Sequence, residues 1–178
     1  MSPRPALLLI AAVSADGFIS TGTGVPWQLP RDKEHFRRIT RGQWLLIGRR
    51  TYEEMNGWFE DHHPLVLTRS PVYIPPVGEV VASVAEALQV AAAGGAAELF
   101  VCGGGEAYAA AMPCADRLIL THVDSPLGSG VPFPPVNPAD WQETDRQDFP
   151  ADATHAHAIR FSTYDRLKPP AQASDGTL

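Results

Sequence analysis

Short apolar runs alternate with amphipathic or alanine-rich stretches from one end of the chain to the other. Residues 6–13 (ALLLIAAV), 43–48 (QWLLIG), 64–68 (PLVLT), 79–82 (EVVA), 98–103 (ELFVCG) and 116–123 (DRLILTHV) form the runs. Continuous apolar stretches of this length suit strands covered on both faces. Their alternation with helices predicts an α/β domain around a largely parallel sheet. The first helix is expected over 31–40, opened by Pro30, whose fixed φ suits a first helical turn, and a short second one over 50–56. Ser83-Val84-Ala85-Glu86 is a capping box opening an alanine-rich helix over 83–93 that Gly94-Gly95 ends. Residues 125–138 (SPLGSGVPFPPVNP) hold too much Pro and Gly for a helix or a central strand and read as an irregular surface excursion. Residues 141–148 and 156–163 are expected as terminal strands in a hairpin-like antiparallel edge. Residues 168–178 (KPPAQASDGTL) read as a disordered tail, leaving one domain over 1–167 without an internal repeat.

A chain of 178 residues with 44% hydrophobic content removes about 70% of its unfolded surface from water, so its core needs no metal or disulfide. Fourteen basic residues face 20 acidic ones, for a net charge of −6, and the basic ones are scattered. That pattern argues against a general nucleic-acid binder or a binder of acidic membranes, so any anionic ligand must be met by a local site. Cys102 and Cys114 show neither metal spacing nor a disulfide framework, which fits buried thiols in the reducing cytoplasm. Residues 6–13, between Arg4 and Ser14-Ala15, imitate a short secretory core with a cleavage site. Their length is far short of a membrane span, and closure by Asp16-Gly17 favours a buried strand.

Candidate chemistry gathers where strands hand over to helices. Gly103-Gly104-Gly105 follows one strand and precedes Glu106-Ala107-Tyr108, a turn that lets phosphate oxygens approach backbone N–H groups. The pattern is neither GxGxxG nor a Walker loop, so a plain tight turn is the other reading. Gly48-Arg49-Arg50-Thr51 and Leu67-Thr68-Arg69-Ser70 end two further strands. Any one of these arginines alone reads as a solvated surface charge. Arginines beside hydroxyls at several strand ends suit a dinucleotide, including the 2′-phosphate that separates NADP from NAD. In the segment 25–36 (VPWQLPRDKEHF), Asp32 and Phe36 are four apart, so a carboxylate and a ring share one helical face and one pocket. The ordinary alternative is a first-turn acid and a core phenylalanine.

Taken in order, LLLIAAVSADGFIS, VPWQLPRD with Phe36, IGRRTYEEM, VLTRS, FVCGGGEAY, LILTHV and the Trp141 region make the chain resemble the dihydrofolate reductase family from Leu7 to about Leu167. The resemblance implies a single α/β domain whose eight-stranded sheet is parallel except for its C-terminal strand. It implies NADPH-dependent hydride transfer to C6 of dihydrofolate or a related pterin, with protonation of N5. Asp32 would be the carboxylate on the pteridine amidine edge, supported by Thr121, with Trp27 over a bound water and the cofactor. Ile10, Phe36, Met55, Phe59, His62 and Cys102 would complete the substrate pocket. Ala12, Ile19 and Tyr108 would approach the nicotinamide, and Gly103, Gly104, Gly105, Glu106 and Ala107 the pyrophosphate. Arg49, Arg50, Thr51, Leu67, Thr68, Arg69 and Ser70 would take the adenosine phosphates. The Gly103–Gly104 peptide would be cis. A small-molecule substrate, no metal, no nucleic-acid or membrane partner, and a cytoplasmic monomer complete what is implied.

Two features depart from that pattern. His62, beside His63, stands where the family keeps an arginine for the folate α-carboxylate, and no Lys or Arg occurs from Thr51 to Thr68. An imidazole in that place offers one bond and is charged mostly below about pH 6.5. SADGFIS is also similar to the reductase domain of riboflavin biosynthesis, which acts on a ribosylamino-pyrimidine and lacks the PW-LP-D-F set. A non-catalytic NADP-binding module is a third reading, one that gives no reason for Asp32 and Thr121.

Overall fold

The alternating pattern folds as a central sheet with helices on both faces in the computed structural model, which describes residues 3–175. In chain order the elements are β1 (Ala6–Ser14), β2 (Phe18–Ser20), α1 (Pro30–Thr40), β3 (Trp44–Gly48), α2 (Arg49–Glu54), β4 (His63–Leu67) and β5 (Glu79–Val81). Then come α3 (Val84–Ala93), β6 (Glu98–Val101), α4 (Gly105–Ala111), β7 (Arg117–Val123), β8 (Val131–Pro132), β9 (Trp141–Phe149) and β10 (Ile159–Arg166). Eight strands lie in the order β5-β4-β3-β6-β1-β7-β10-β9. Pairing is parallel from β5 to β7, and β10 runs antiparallel to both β7 and β9.

Why β1 reads as an unbroken apolar run is plain from its two faces. Leu7 and Leu9 enter the core under α3 and α4, whereas Leu8 and Ile10 enter a second core with Tyr52, Phe59 and, on α1, Phe36 and Ile39. A strand flanked by helices on both sides has no polar face to show. The cap forms at Ser83 as expected, its Oγ accepting from Glu86 N–H at 3.1 Å, while the Glu86 carboxylate reaches back to the Ala82 N–H, one residue before the cap. Charged residues from Gln142 to Asp148 keep the β9 edge exposed and polar, which blunts it against strand addition.

Three expectations shift. The excursion over 125–138 is mostly irregular, yet it contributes β8, which pairs with β2 in a small separate ladder. Gly130 permits that approach: its φ is +144° and a Cβ there would lie 2.0 Å from the Ser20 carbonyl oxygen. The last strand begins at Ile159 rather than 156, because Asp152, Thr154 and His155 bond one another in a turn. The second helix ends at Glu54 rather than Asn56. Residues 168–175 carry no regular structure; Ala171 N–H donates to the Pro113 carbonyl and Ala173 packs on the core. Residues 176–178 of the expected tail lie outside the described residues.

Candidate active site

β1 pairs with β6 only as far as Leu9–Val101 but with β7 as far as Ser14–Val123. Past Leu9 its β6 side is therefore open. The parting makes a crevice at the carboxyl ends of the strands, where α/β sheets bind ligands. The cleft measures about 1690 Å³, against about 300–1,000 Å³ for a pocket that holds one small molecule. That volume exceeds what one small molecule needs.

One end is built by α1 and β7. Asp32, in the first turn of α1, accepts a 2.6 Å hydrogen bond from Thr121 Oγ1 on β7. Burial pushes the Asp32 pKa above the ordinary carboxylate range, and the Thr121 bond opposes that shift. Phe36 follows one turn later and meets Trp58 edge-on at 6.1 Å. Trp27 lines the cleft and is buried, and its Nε1–H is a buried donor with no partner among the described residues.

The middle of the cleft is lined by the buried side chains of Ile10, Cys102 and Tyr108. Tyr108 Oη donates to the Ile10 carbonyl at 2.7 Å, on the stretch of β1 that β6 has left. Its ring packs edge-on against Phe133 at 5.1 Å. Burial drives the pKa values of Tyr108 and Cys102 upward, so both stay protonated. Cys102 is thus an apolar wall rather than a nucleophile.

At the far end two turns abut. Gly48 N–H donates to the Gly103 carbonyl at 2.7 Å, and the Gly103–Gly104 peptide is cis. A Cβ on Gly104 would sit 2.9 Å from Thr51 Oγ1, and Gly103 has φ +118°, a conformation that side chains with a Cβ rarely adopt. Arg50 and Arg69 are exposed on the cleft wall and have no ion pair among the described residues. Arg49 is already engaged, by Glu53 at 2.9 Å and by the face of Tyr73 at 4.6 Å. A backbone cradle flanked by two free guanidinium groups fits the phosphates of a dinucleotide such as NADPH.

Every site residue expected from the sequence lines this one cleft except Phe59, His62, Ser70 and Thr121. Thr121 stands behind Asp32. Phe59 is stacked on Tyr52 at 4.8 Å beneath the wall. Ser70 lies just past it, its N–H on Thr68 Oγ1. His62 turns toward α1: its Nε2 lies 3.2 Å from Thr40 Oγ1, and burial lowers its pKa. The sequence did not single out Lys33, Trp58 or the 133–135 stretch, all on the cleft wall. Lys33 sits beside Asp32, and Trp58 follows Gly57 in a loop, so position next to a candidate carboxylate was the one available signal.

The family model of dihydrofolate reductase matches residues 6–166. The type 3 dihydrofolate reductase of Salmonella typhimurium is 36% identical over 160 residues, covering 90% of this chain and 98% of that protein. The dihydrofolate reductase of Mycobacterium tuberculosis is 36% identical over 139 residues, 75% of this chain and 83% of its own. Among solved structures, dihydrofolate reductase from Enterococcus faecalis complexed with NADP(H) and RAB-propyl is similar with a TM-score of 0.82 at 26% identity. The match covers 94% of this chain and 100% of that one. With its sheet order, its cleft and its sequence all in agreement, the chain belongs to the dihydrofolate reductase family.

Proposed function

We propose that the protein reduces dihydrofolate to tetrahydrofolate, with NADPH as the source of the hydride. The observation that carries this reading is one continuous cleft with the Asp32–Thr121 pair at one end and the Gly103–Gly105 turn with two unpaired arginines at the other. Bound NADPH supplies a hydride to the pterin C6. The chain's own residues hold and orient. Arg69 and Arg50 offer charge-assisted bonds to phosphate, and the amides of 103–107 line the pyrophosphate. Asp32, hard to ionise when alone in the pocket, is stabilised as a carboxylate by the donors of the pterin amidine edge, polarising the ring for protonation at N5. In this reading the unpartnered Trp27 Nε1–H orients a water beside that ring, and Ile10, Phe36 and Met55, which line the same cleft, pack on it.

We read the protein as one domain over 1–167, a cytoplasmic monomer acting on a small molecule without nucleic-acid or membrane partners. The negative net charge and the two free, buried cysteines support that reading. Among the described residues no helix is long and apolar enough to cross a membrane. The test is NADPH absorbance followed with dihydrofolate and, separately, with the ribosylamino-pyrimidine of riboflavin biosynthesis. Oxidation with dihydrofolate alone is expected; oxidation with the pyrimidine alone, or with neither, overturns the proposal.

A further inference from the structure

The helix that carries Asp32 lacks the usual means of closing its N-terminus. Its cap residue is Leu29, whose side chain cannot accept a hydrogen bond, and Pro30 has no N–H. Lys33 N–H reaches the Leu29 carbonyl at 3.0 Å. Arg31 N–H, one residue before Asp32, donates instead to His155 Nε2 at 3.2 Å, across 124 residues of chain.

His155 is built to accept that bond. It is 4% exposed, and its Nδ1 lies 2.9 Å from Asp152 Oδ1. A ring nitrogen facing an N–H must present a lone pair, so the proton sits on Nδ1 and is donated to Asp152. Thr154 N–H bonds the same carboxylate oxygen at 2.9 Å. The turn and the strands it joins also meet the helix: Arg31 reaches Asp152 at 3.4 Å and lies over the Phe149 ring of β9, and His35 stacks on Phe161 of β10 at 3.8 Å.

We propose that His155 is a positioning residue for the reaction: as the cap of α1 supplied from the β9–β10 turn, it fixes the first helical turn and so holds the Asp32 carboxylate on Thr121. Without an acceptor at Nε2, Arg31 N–H is left unpaired and the turn bearing Asp32 is free to shift against β7. A displacement of about 1 Å in a reacting constellation costs on the order of a hundredfold in rate.

Glutamine and asparagine separate this role from mere packing. The amide oxygen of glutamine reaches the place of Nε2, whereas that of asparagine reaches only the place of Nδ1. His155→Ala and His155→Asn should lower kcat by roughly ten- to a hundredfold, with the KM for NADPH unchanged. They should also move the apparent pKa of the kcat profile downward, as a loosened Asp32 gains water. His155→Gln should restore most of kcat and the wild-type profile. Equal behaviour of the Gln and Asn variants, or loss of thermal stability with kcat and its pH profile intact, overturns the proposal. If the Ala variant does not fold, the Gln–Asn comparison still decides. The inference rests on Asp32 meeting the pterin. Failure of that premise shows as turnover by Asp32→Asn, whereas failure of the His155 role leaves Asp32→Asn inactive and the His155 variants like wild type.

Discussion

Asp32→Asn should cost activity and gain stability. The substitution keeps the shape of the side chain and an oxygen to accept the 2.6 Å bond from Thr121. It removes the charge that meets the pterin. A positioned acid–base group contributes about 10²–10⁴ in rate, or about 3–5 kcal/mol of barrier at about 1.4 kcal/mol per decade. kcat/KM for dihydrofolate should fall by that factor while NADPH binding stays within about twofold, because Arg50, Arg69 and the glycine turn stand on other elements. The stability change has the opposite sign. The folded-state pKa of Asp32 is raised by burial, so the native state binds the proton more readily than the unfolded chain. Stability contributed by this group is therefore full below the ordinary carboxylate pKa and is lost as pH rises through the raised value. Asparagine escapes that loss. The variant should unfold at higher urea than wild type at pH 7, and the gap should narrow as pH falls toward the ordinary carboxylate range. Retained turnover, or parallel loss of NADPH affinity, refutes the placement of Asp32; equal urea midpoints at every pH refute the burial argument.

Three further outcomes follow from single contacts. Tyr108→Phe leaves the Ile10 carbonyl without its donor while keeping the ring on Phe133, and should cost about 1–3 kcal/mol in urea unfolding. Arg69→Ala should narrow the preference for NADPH over NADH by roughly ten- to a hundredfold, the equivalent of about 1.5–3 kcal/mol for a charged hydrogen bond, whereas Arg49→Ala, whose side chain is held by Glu53, should leave the ratio of specificity constants unchanged. The Asp16 carboxylate accepts from the Ser14 hydroxyl, Leu127 N–H and Gly128 N–H, which lower its pKa to about 2; because the pKa is depressed in the fold, this tie is present at neutral pH and lost as pH falls toward that value. Asp16→Asn should speed amide exchange at Leu127 and Gly128 and alter kcat with little change in melting temperature.

What the sequence revealed was whatever is written in local pattern. Buried strands, the serine cap and the Asp32–Phe36 face depend on neighbours within a turn or two, and the strand-end arginines and glycines are contiguous. Even the loss of Arg49 from the free cations could have been read, since Glu53 stands four residues on. The features that escaped are made by distant partners. Pairing of β2 with β8 needs Gly130 against Ser20, the Asp16 tie needs amides 111 and 112 residues away, and the α1 cap needs His155. None of these has a periodicity of its own. Counting back from the VLTRS strand placed His62 at the family's arginine position, but whether that position faces the cleft depends on Thr40 of another element.

That residue decides how the chain handles the glutamate tail of its substrate. The Thr40 hydroxyl donates to the Phe36 carbonyl at 2.8 Å, so His62 Nε2 must be the donor in its contact with Thr40. With that N–H committed, the ring off the cleft wall and protonation disfavoured by burial, His62 supplies no charge to a carboxylate at neutral pH. Lys33, which lines the cleft and is exposed beside Asp32, has no ion pair among the described residues. An exposed ammonium–carboxylate contact is worth about 0.2–1 kcal/mol, far less than a buried bidentate arginine. The tail should therefore add less than about tenfold to affinity over a tail-less dihydropterin, by an amount that shrinks in high salt. Lys33→Met should remove most of that increment, and His62→Ala little of it. Binding measured at pH 6 and pH 8 should show the same increment at both. If the increment instead grows sharply at pH 6 and vanishes in His62→Ala, the histidine reaches the tail and its orientation toward Thr40 is not the state that binds substrate.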